Sequence, residues 1–400
     1  MAKKQNKVSA APLDIDLSIL ADESMGLVLL QDSDYAEVLD RLPLFLPRID
    51  KILGGGLPFG RMIEVAGVPS GGKSTFTHHV LRVASRLGCI CVLIDVEGTS
   101  DKQRLASLGI DISKVLVKQP DLSKGRALTV EEVGSTIEQT LEIFKAKYPN
   151  APVVYVWDSV GQTPSDVELD KDFGEQNVGA RAKAITQFVT KVTPMISQSK
   201  SLFVGINQVR DDIGGNPMFK QYKVPGGKAW EHAATLRLEI KKKSAIKKGS
   251  GATAEHLGHT MGVKTRKSKV SPPLQEAEAA LLSLTGIDYE YNIAKMAEDE
   301  KILGTTGQSY EYTDATGEHH KMKKDNFIEW LRDEGCYVRQ ELLNKLIVAS
   351  YGDAPYPALN NATLPITGWI DQVEEVTTEI DLHKEPEKSQ DDLVEEILKG

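Results

Sequence analysis

Cysteine is nearly absent. Cys89, Cys91 and Cys336 are the three in 400 residues, and no two form a C-x-x-C pair. That spacing suggests neither a disulfide framework nor a zinc site, so a reducing cytoplasm is the expected compartment. Long apolar runs are missing too. None approaches the ~20 residues of a membrane span, so no membrane association is expected. Lys3, Lys4 and Lys7 have no apolar stretch behind them that would make a secretory signal. No tandem repeat is present, which sets aside a repeat architecture. An excess of positive charge is also lacking: Lys+Arg number 48 against 57 Asp+Glu, a net charge of −9. On its face that argues against a nucleic-acid binder.

The position of the charge removes that objection. Residues 371–400 hold 11 acidic side chains against 3 lysines, so the body of the chain is close to neutral. Basic residues gather at 241–248 and 264–269. Clustering, more than total charge, creates a local field that attracts phosphate. The tail combines dense charge with few aromatics and is expected to be disordered.

From Phe45 onward short apolar runs (62–66, 89–94, 153–157, 202–206, 236–240) alternate with helical periods (74–86, 100–108, 130–147, 179–199). This predicts an α/β fold: a doubly wound, largely parallel sheet with helices on both faces. Ligands then bind beyond the carboxyl ends of the strands. Four segments follow: an N-terminal arm over 1–44, a core over 45–290, a small α/β C-terminal domain over 291–351, and a linker with the acidic tail over 352–400. The amphipathic stretch 17–31 of the arm packs either on its own domain or on a neighbouring subunit; the sequence leaves both open. After Pro272–Pro273 one more helix–strand passage is expected.

Gly67-Val68-Pro69-Ser70-Gly71-Gly72-Lys73-Ser74 fits G-x-x-x-x-G-K-[ST], between an apolar strand and an amphipathic helix that continues with Thr75. The glycines let backbone N–H groups turn toward phosphate oxygens, and the helix start adds its dipole. Lys73 would neutralise the β and γ phosphates of ATP, and Ser74 would ligate Mg²⁺. The alternative, a chance Gly-rich turn, does not account for the strand–loop–helix context.

Three later strands end in polar residues suited to such a site. Glu97 follows strand 92–96, where a carboxylate can orient or deprotonate an attacking water. It equally fits a helix N-cap cluster with Thr99, Ser100 and Asp101. Asp158 ends 153–157, as the second Mg²⁺ carboxylate of a phosphate-loop protein would. Asn207-Gln208 ends 202–206 and offers an amide to a γ-phosphate. The glycine-rich stretch 209–228 that follows is either a functional loop or a surface insertion. Trp157 and Trp230 read as core or interface, not as base-stacking platforms. Phe219 and Tyr222 could stack on bases, and the pairs His78–His79 and His319–His320 read as surface pairs.

Together these segments resemble the RecA-type recombinases. The resemblance is carried by LGGGLPFGRMIEVAGVPSGGKS (53–74), LIDVEGTSD (93–101), LGIDISKVLVKQP (108–120), WDSVGQTP (157–164), INQVRDDIGGNP (206–217) and PGGKAWEHAATLRLEI (225–240). It runs from about residue 45 to about 346; the brief, divergent N-terminus and weaker identity elsewhere point to a phage-type relative, similar to the UvsX group. The resemblance implies a phosphate-loop ATPase core with an oligomerisation arm. It implies Glu97 as catalytic glutamate, Asp158 as Mg²⁺ carboxylate and Gln208 as the coupling between γ-phosphate and DNA. Asp101 would lie near adenine. The ring-stacking position is Arg104, where the family usually has an aromatic. DNA loops at 168–178 and 209–228 would carry wedges at Val178 and Ile213, with Lys183, Arg210, Gly226, Gly227 and Lys228 at contact positions. Asp211 and Asp212 depart from the family and would weaken binding or point away. Lys267 and Lys269 would reach a neighbour's γ-phosphate. By charge alone, residues 263–270 are a phosphate patch or a solvated edge.

The expected activity is DNA-dependent ATP hydrolysis with Mg²⁺, coupled to filament formation on single-stranded DNA and strand exchange with duplex. Partners would be both forms of DNA, further copies of the chain, and single-strand-binding and mediator proteins. The alternative is a hexameric RecA-fold helicase, which usually has an arginine finger in place of the paired lysines. A small-molecule kinase leaves 209–228 unexplained, and a filament protein with vestigial ATPase leaves Lys73 and Glu97 unexplained.

Overall fold

The structure, a computed structural model, describes residues 41–98, 100–121, 123, 125–170, 179–211, 222, 223, 226–248 and 254–351. Stretch 17–31, Val178, Ile213, Phe219, the linker and the acidic tail lie outside the described residues.

In chain order the elements are Arg41–Leu42 (β1), Pro47–Leu53 (α1), Leu57–Pro58 (β2), Arg61–Gly67 (β3), Lys73–Arg86 (α2), Ile90–Asp95 (β4), Lys102–Ser107 (α3), Val115–Lys118 (β5), Val130–Lys147 (α4), Val153–Asp158 (β6), Asp166–Leu169 (α5), Ala180–Gln198 (α6), Leu202–Gln208 (β7), Arg210–Asp211 (β8), Tyr222–Lys223 (β9) and Gly227–Ala233 (α7). Then come Leu236–Lys248 (β10), Glu255–Ser268 (β11), Glu276–Leu282 (β12), Gly286–Ile287 (β13), Tyr289–Asp299 (α8), Gly304–Thr306 (β14), Ser309–Thr313 (β15), His319–Lys323 (β16), Lys324–Arg332 (α9) and Cys336–Tyr351 (α10).

Nine strands form the main sheet in the order β13-β12-β11-β10-β3-β7-β6-β4-β5. The six from β10 to β5 are parallel, and β11, β12 and β13 add an antiparallel wing. Strands β4, β6 and β7 are almost wholly buried along their length. Burial on both faces explains why they read as continuous apolar runs and not as alternation. Helix α4 opens on a capping box between Thr129 and Glu132 and buries Val130, Val133, Ile137 and Leu141 at helical spacing. With α6 and Trp157, Phe203 and Trp230 it forms one apolar core. Helices α1, α2 and α8 to α10 build the other. This is the expected doubly wound arrangement.

The order after Pro272–Pro273 differs from expectation, with strands β12 and β13 preceding α8. Glu276–Leu282 is Ala- and Glu-rich and helical by propensity. Pairing with β11 overrides that preference, because most of its alanines and leucines bury against the sheet. The C-terminal segment adds a three-stranded antiparallel sheet, β14-β15-β16. Its Phe327, Leu331, Val338, Leu342 and Leu346 join the same core as Phe45, Ile49 and Leu53. No described helix is long and apolar enough to cross a membrane. The histidines also differ from the surface pairs expected. His79 is buried with its Nε2 2.9 Å from the Leu44 carbonyl, and His320 is buried with its Nε2 2.9 Å from Asp314 Oδ2. Partners outside each dipeptide, a backbone carbonyl for His79 and a carboxylate for His320, account for both.

Candidate functional site

Strand β3 ends at Gly67, and α2 starts at Lys73 with Gly72 as its cap. The loop between them is held from behind by the sheet. A Cβ on Gly67 would lie 2.3 Å from the Ile240 carbonyl oxygen, and one on Gly72, at φ 102°, would lie 2.7 Å from Leu281 Cδ1. Backbone thus passes where side chains cannot, which is what a phosphate cradle requires. Lys73 is only 8% exposed, and its Nζ donates to the Val68 carbonyl at 2.9 Å. Burial holds its pKa below the ordinary lysine range, while Asp158 works in the other direction.

Asp158 ends β6 two strands away, and its Oδ2 accepts a hydrogen bond from Ser74 Oγ at 2.9 Å. Burial pushes the Asp158 carboxyl up to about 6; Ser74 opposes that shift, and the Glu97 and Asp95 charges add to it. A hydroxyl and a carboxylate meeting beside the loop are the hard oxygen donors that Mg²⁺ prefers. Asp95 lies opposite Asp158 in the β4–β6 register, and the backbone N–H of Val96 donates to the Asp158 carbonyl at 2.9 Å. Asp95 is buried and accepts from Gly98 N, Ser100 N and Gln119 Nε2 at 3.0, 2.8 and 3.2 Å. It folds the turn that presents the exposed Glu97 beyond the strand. Sequence reasoning missed Asp95, although an Asp at a strand end followed by Gly and Ser is an Asx-turn signature.

The third strand end is tied to a buried carboxylate that was also missed. Gly67 and Gln208 are register partners in β3 and β7. Next to Gln208, Asn207 Nδ2 donates to Glu64 Oε1 at 3.2 Å, and Trp230 Nε1 donates to the same oxygen at 2.9 Å. Arg237 Nε donates to Glu64 Oε2. Glu64 is fully buried and so joins β3, β7, β10 and α7. Helix α7 begins where the 209–228 segment ends, with Gly226 as its cap and Gly227 and Lys228 in its first turn. Arg237 is the register partner of Lys267. An acidic residue inside an apolar strand (Met-Ile-Glu-Val-Ala) was the available signal, since a buried carboxylate requires partners.

The remaining expected residues divide. Asp101 caps α3, accepting from Arg104 N at 2.7 Å, so the N-cap reading of that cluster holds for Asp101. The Arg104 guanidinium donates to the Ser283 and Leu284 carbonyls, each at 2.8 Å. Lys267 Nζ donates to the Glu231 and His232 carbonyls at the end of α7 at 2.7 and 3.1 Å, while Lys269 is exposed. Burial, then Lys269 and Arg237, hold the Lys267 pKa below its usual range. Lys183 is exposed on the first turn of α6. Residues Arg210 and Asp211 pair with Lys223 and Tyr222 as a short antiparallel ladder. The basic clusters are neutralised in part within the chain. Lys241 pairs with Glu239, Lys243 with Glu276 and Glu278, Lys248 with Asp325, and Arg266 with Glu239.

Comparison with known proteins decides which phosphate-loop family this is. The model of the RecA N-terminal domain matches residues 27–288. The chain belongs to the RecA family. Protein RecA of Laribacter hongkongensis is 34% identical over 352 residues, 87% of this chain and 91% of the relative. Protein RecA of Heliobacterium modesticaldum is 31% identical, covering 83% and 90%, and that of Clostridium novyi 34%, covering 74% and 79%. This RecA-type protein is accordingly a DNA recombinase of recombination and repair, and a DNA-dependent ATPase. The phosphate loop, Asp158, Glu97 and Gln208 all lie within the matched span.

Proposed function

We propose that the site formed by residues 67–74, Glu97, Asp158 and Gln208 binds Mg·ATP and that its occupancy controls a grip on single-stranded DNA by residues 168–178 and 209–228. The observation that carries this reading is the shared end of adjacent strands. Gly67 opens the phosphate loop, and its register partner Gln208 leads within one residue into the 209–228 segment.

In this reading the loop N–H groups and Lys73 hold the phosphates, Lys73 exchanging the Val68 carbonyl for phosphate oxygens. Bound between Ser74 and Asp158, Mg²⁺ would supply charge neutralisation on the β and γ phosphates. Glu97 takes a proton from the attacking water as the bond from γ-phosphorus to the bridging oxygen breaks, releasing ADP and phosphate. Thr75 adds its backbone N–H at the helix start. Asp101 and Arg104 border the nucleoside end, where Arg104 offers a guanidinium plane in place of an aromatic ring. Gln208 donates its side-chain amide N–H to the γ-phosphate and transmits its loss to the loop. Val178 and Ile213 wedge between bases, and Lys183, Arg210, Gly226, Gly227 and Lys228 hold phosphates. Lys267 and Lys269 complete a neighbour's site, which links nucleotide binding to filament assembly because ligand favours the state that completes its site.

The activity follows as homologous pairing and strand exchange by a nucleoprotein filament, with single-strand-binding and mediator proteins as further partners. The test is joint-molecule formation between homologous DNAs with Mg·ATP. The unsubstituted chain forms joint molecules and Lys73→Ala does not. Unwinding of duplex without pairing would favour a helicase instead.

A further inference from the structure

His259 stands behind the phosphate loop. It lies on β11 between Ala245 of β10 and Leu281 of β12 in the sheet register. It is 8% exposed, and its Nε2 has no hydrogen-bond partner among the described residues. That nitrogen lies 3.8 Å from where a Cβ on Gly72 would be, on the side of the loop that also meets Met261 Sδ and Leu281 Cδ1. The Gly71 backbone is near enough to raise the affinity of the ring for a proton. Only an acceptor has that effect on a base, so the group concerned is the Gly71 carbonyl. Burial and the Lys242 charge oppose it and leave the imidazole below its ordinary pKa, with His256 adding to the depression. At neutral pH the ring is therefore neutral, with one N–H to give.

A buried imidazole nitrogen left unpaired is costly, and the backbone within its reach is the Gly71–Gly72 peptide, whose carbonyl can take an N–H. The opposite side of that peptide is the Gly72 N–H, one of the donors that a phosphate loop turns toward its anion. A hydrogen bond to the carbonyl polarises the whole amide and strengthens its N–H as a donor.

We propose that His259 is a positioning residue for the triphosphate: Nε2–H donates to the Gly71 carbonyl when nucleotide closes the loop, and thereby sharpens the Gly72 N–H toward phosphate. The proposal rests on the nucleotide site described above. Its contribution is to binding, not to the chemical step, because it acts through the loop backbone.

Substitution separates this from packing. His259→Leu fills the apolar space beside Met261 and Leu281 but has no donor, whereas His259→Gln keeps one. Steady-state ATP hydrolysis on saturating single-stranded DNA, with Mg·ADP affinity by calorimetry, provides the readout. For His259→Leu the KM and the ADP dissociation constant rise about three- to tenfold, the range of one neutral hydrogen bond, while kcat changes less than twofold. His259→Gln recovers at least half of that loss. An unchanged KM in the leucine variant, or no recovery in the glutamine variant, overturns the proposal. A second arm needs no variant: in the ¹⁵N-histidine-labelled chain the Nε2–H resonance of His259 moves downfield on adding Mg·ADP, and a stationary resonance overturns it. If the unsubstituted chain binds no Mg·ADP at all, the nucleotide site itself is refuted, an outcome distinct from either of these.

Discussion

Trp230 donates its indole N–H to Glu64 at 2.9 Å, joining residues 166 positions apart across the centre of the sheet. The ring sits so close to β7 that a Cβ on Gly205 would lie 2.6 Å from its Cζ2. Through Asn207 the same carboxylate holds the strand that ends in Gln208, so the helix after the 209–228 segment and the strand before it share one buried acceptor. Such an element can be biased from both sides, which is the physical content of coupling.

Trp230→Phe keeps an aromatic ring but removes the N–H and part of the indole's buried volume. It is expected to cost about 2–4 kcal/mol of stability, one hydrogen bond plus a cavity. The ratio of single-strand affinities with and without a non-hydrolysable ATP analogue should fall severalfold. Equilibrium unfolding and fluorescence anisotropy measure the two effects. An unchanged affinity ratio would show that the Glu64 junction is only structural.

Glu97→Gln should keep nucleotide and DNA binding and lose ATP turnover by a factor of about 10² or more, the usual contribution of a general base. Single-turnover hydrolysis checks this. Near-normal turnover would leave Glu97 with the bland role of a turn residue beside the Asp101 cap.

His79 gives a pH dependence of stability. Burial first, then Arg82, drives its pKa down to about 3, with the Leu44 carbonyl partly offsetting and Arg86 adding to the depression. The folded pKa lies below the unfolded value of ~6.5, so the unfolded chain binds the extra proton in the window between them. Stability from this group is full above pH 6.5 and falls as pH drops, at about 1.4 kcal/mol per pH unit. Urea unfolding between pH 7 and 5 should show that slope reduced in His79→Gln. An identical slope in the variant would contradict the assignment.

Removing residues 371–400, which carry 11 of the 57 acidic side chains, is expected to tighten DNA binding, more at low salt than at high salt. Titrations at several salt concentrations test this; equal affinities throughout would dismiss a restraining tail.

The parallel half of the sheet was legible because burial on both faces leaves long apolar runs. The phosphate loop was legible because its glycines, lysine and serine stand at fixed spacing between a strand and a helix, whatever distant residues Gly67 and Gly72 come to meet. The antiparallel wing was not, since β12 owes its conformation to β11 and not to its own Ala-rich sequence. Glu64 and His259 were missed for the same reason, since each meets residues far away in the chain. Asp95 was missed although its turn partners Gly98 and Ser100 are close in sequence. Arg104 and Lys267 were found by position, yet the structure sets both on carbonyls of their own chain, where only the fold could place them.

The central claim is that nucleotide occupancy governs the grip on DNA. Single-strand affinity measured on one preparation with a non-hydrolysable ATP analogue, with ADP and with no nucleotide tests it most directly. The account predicts the tightest binding with the analogue, by tenfold or more, and loss of that difference in Gln208→Ala. Equal affinity in all three states would contradict it.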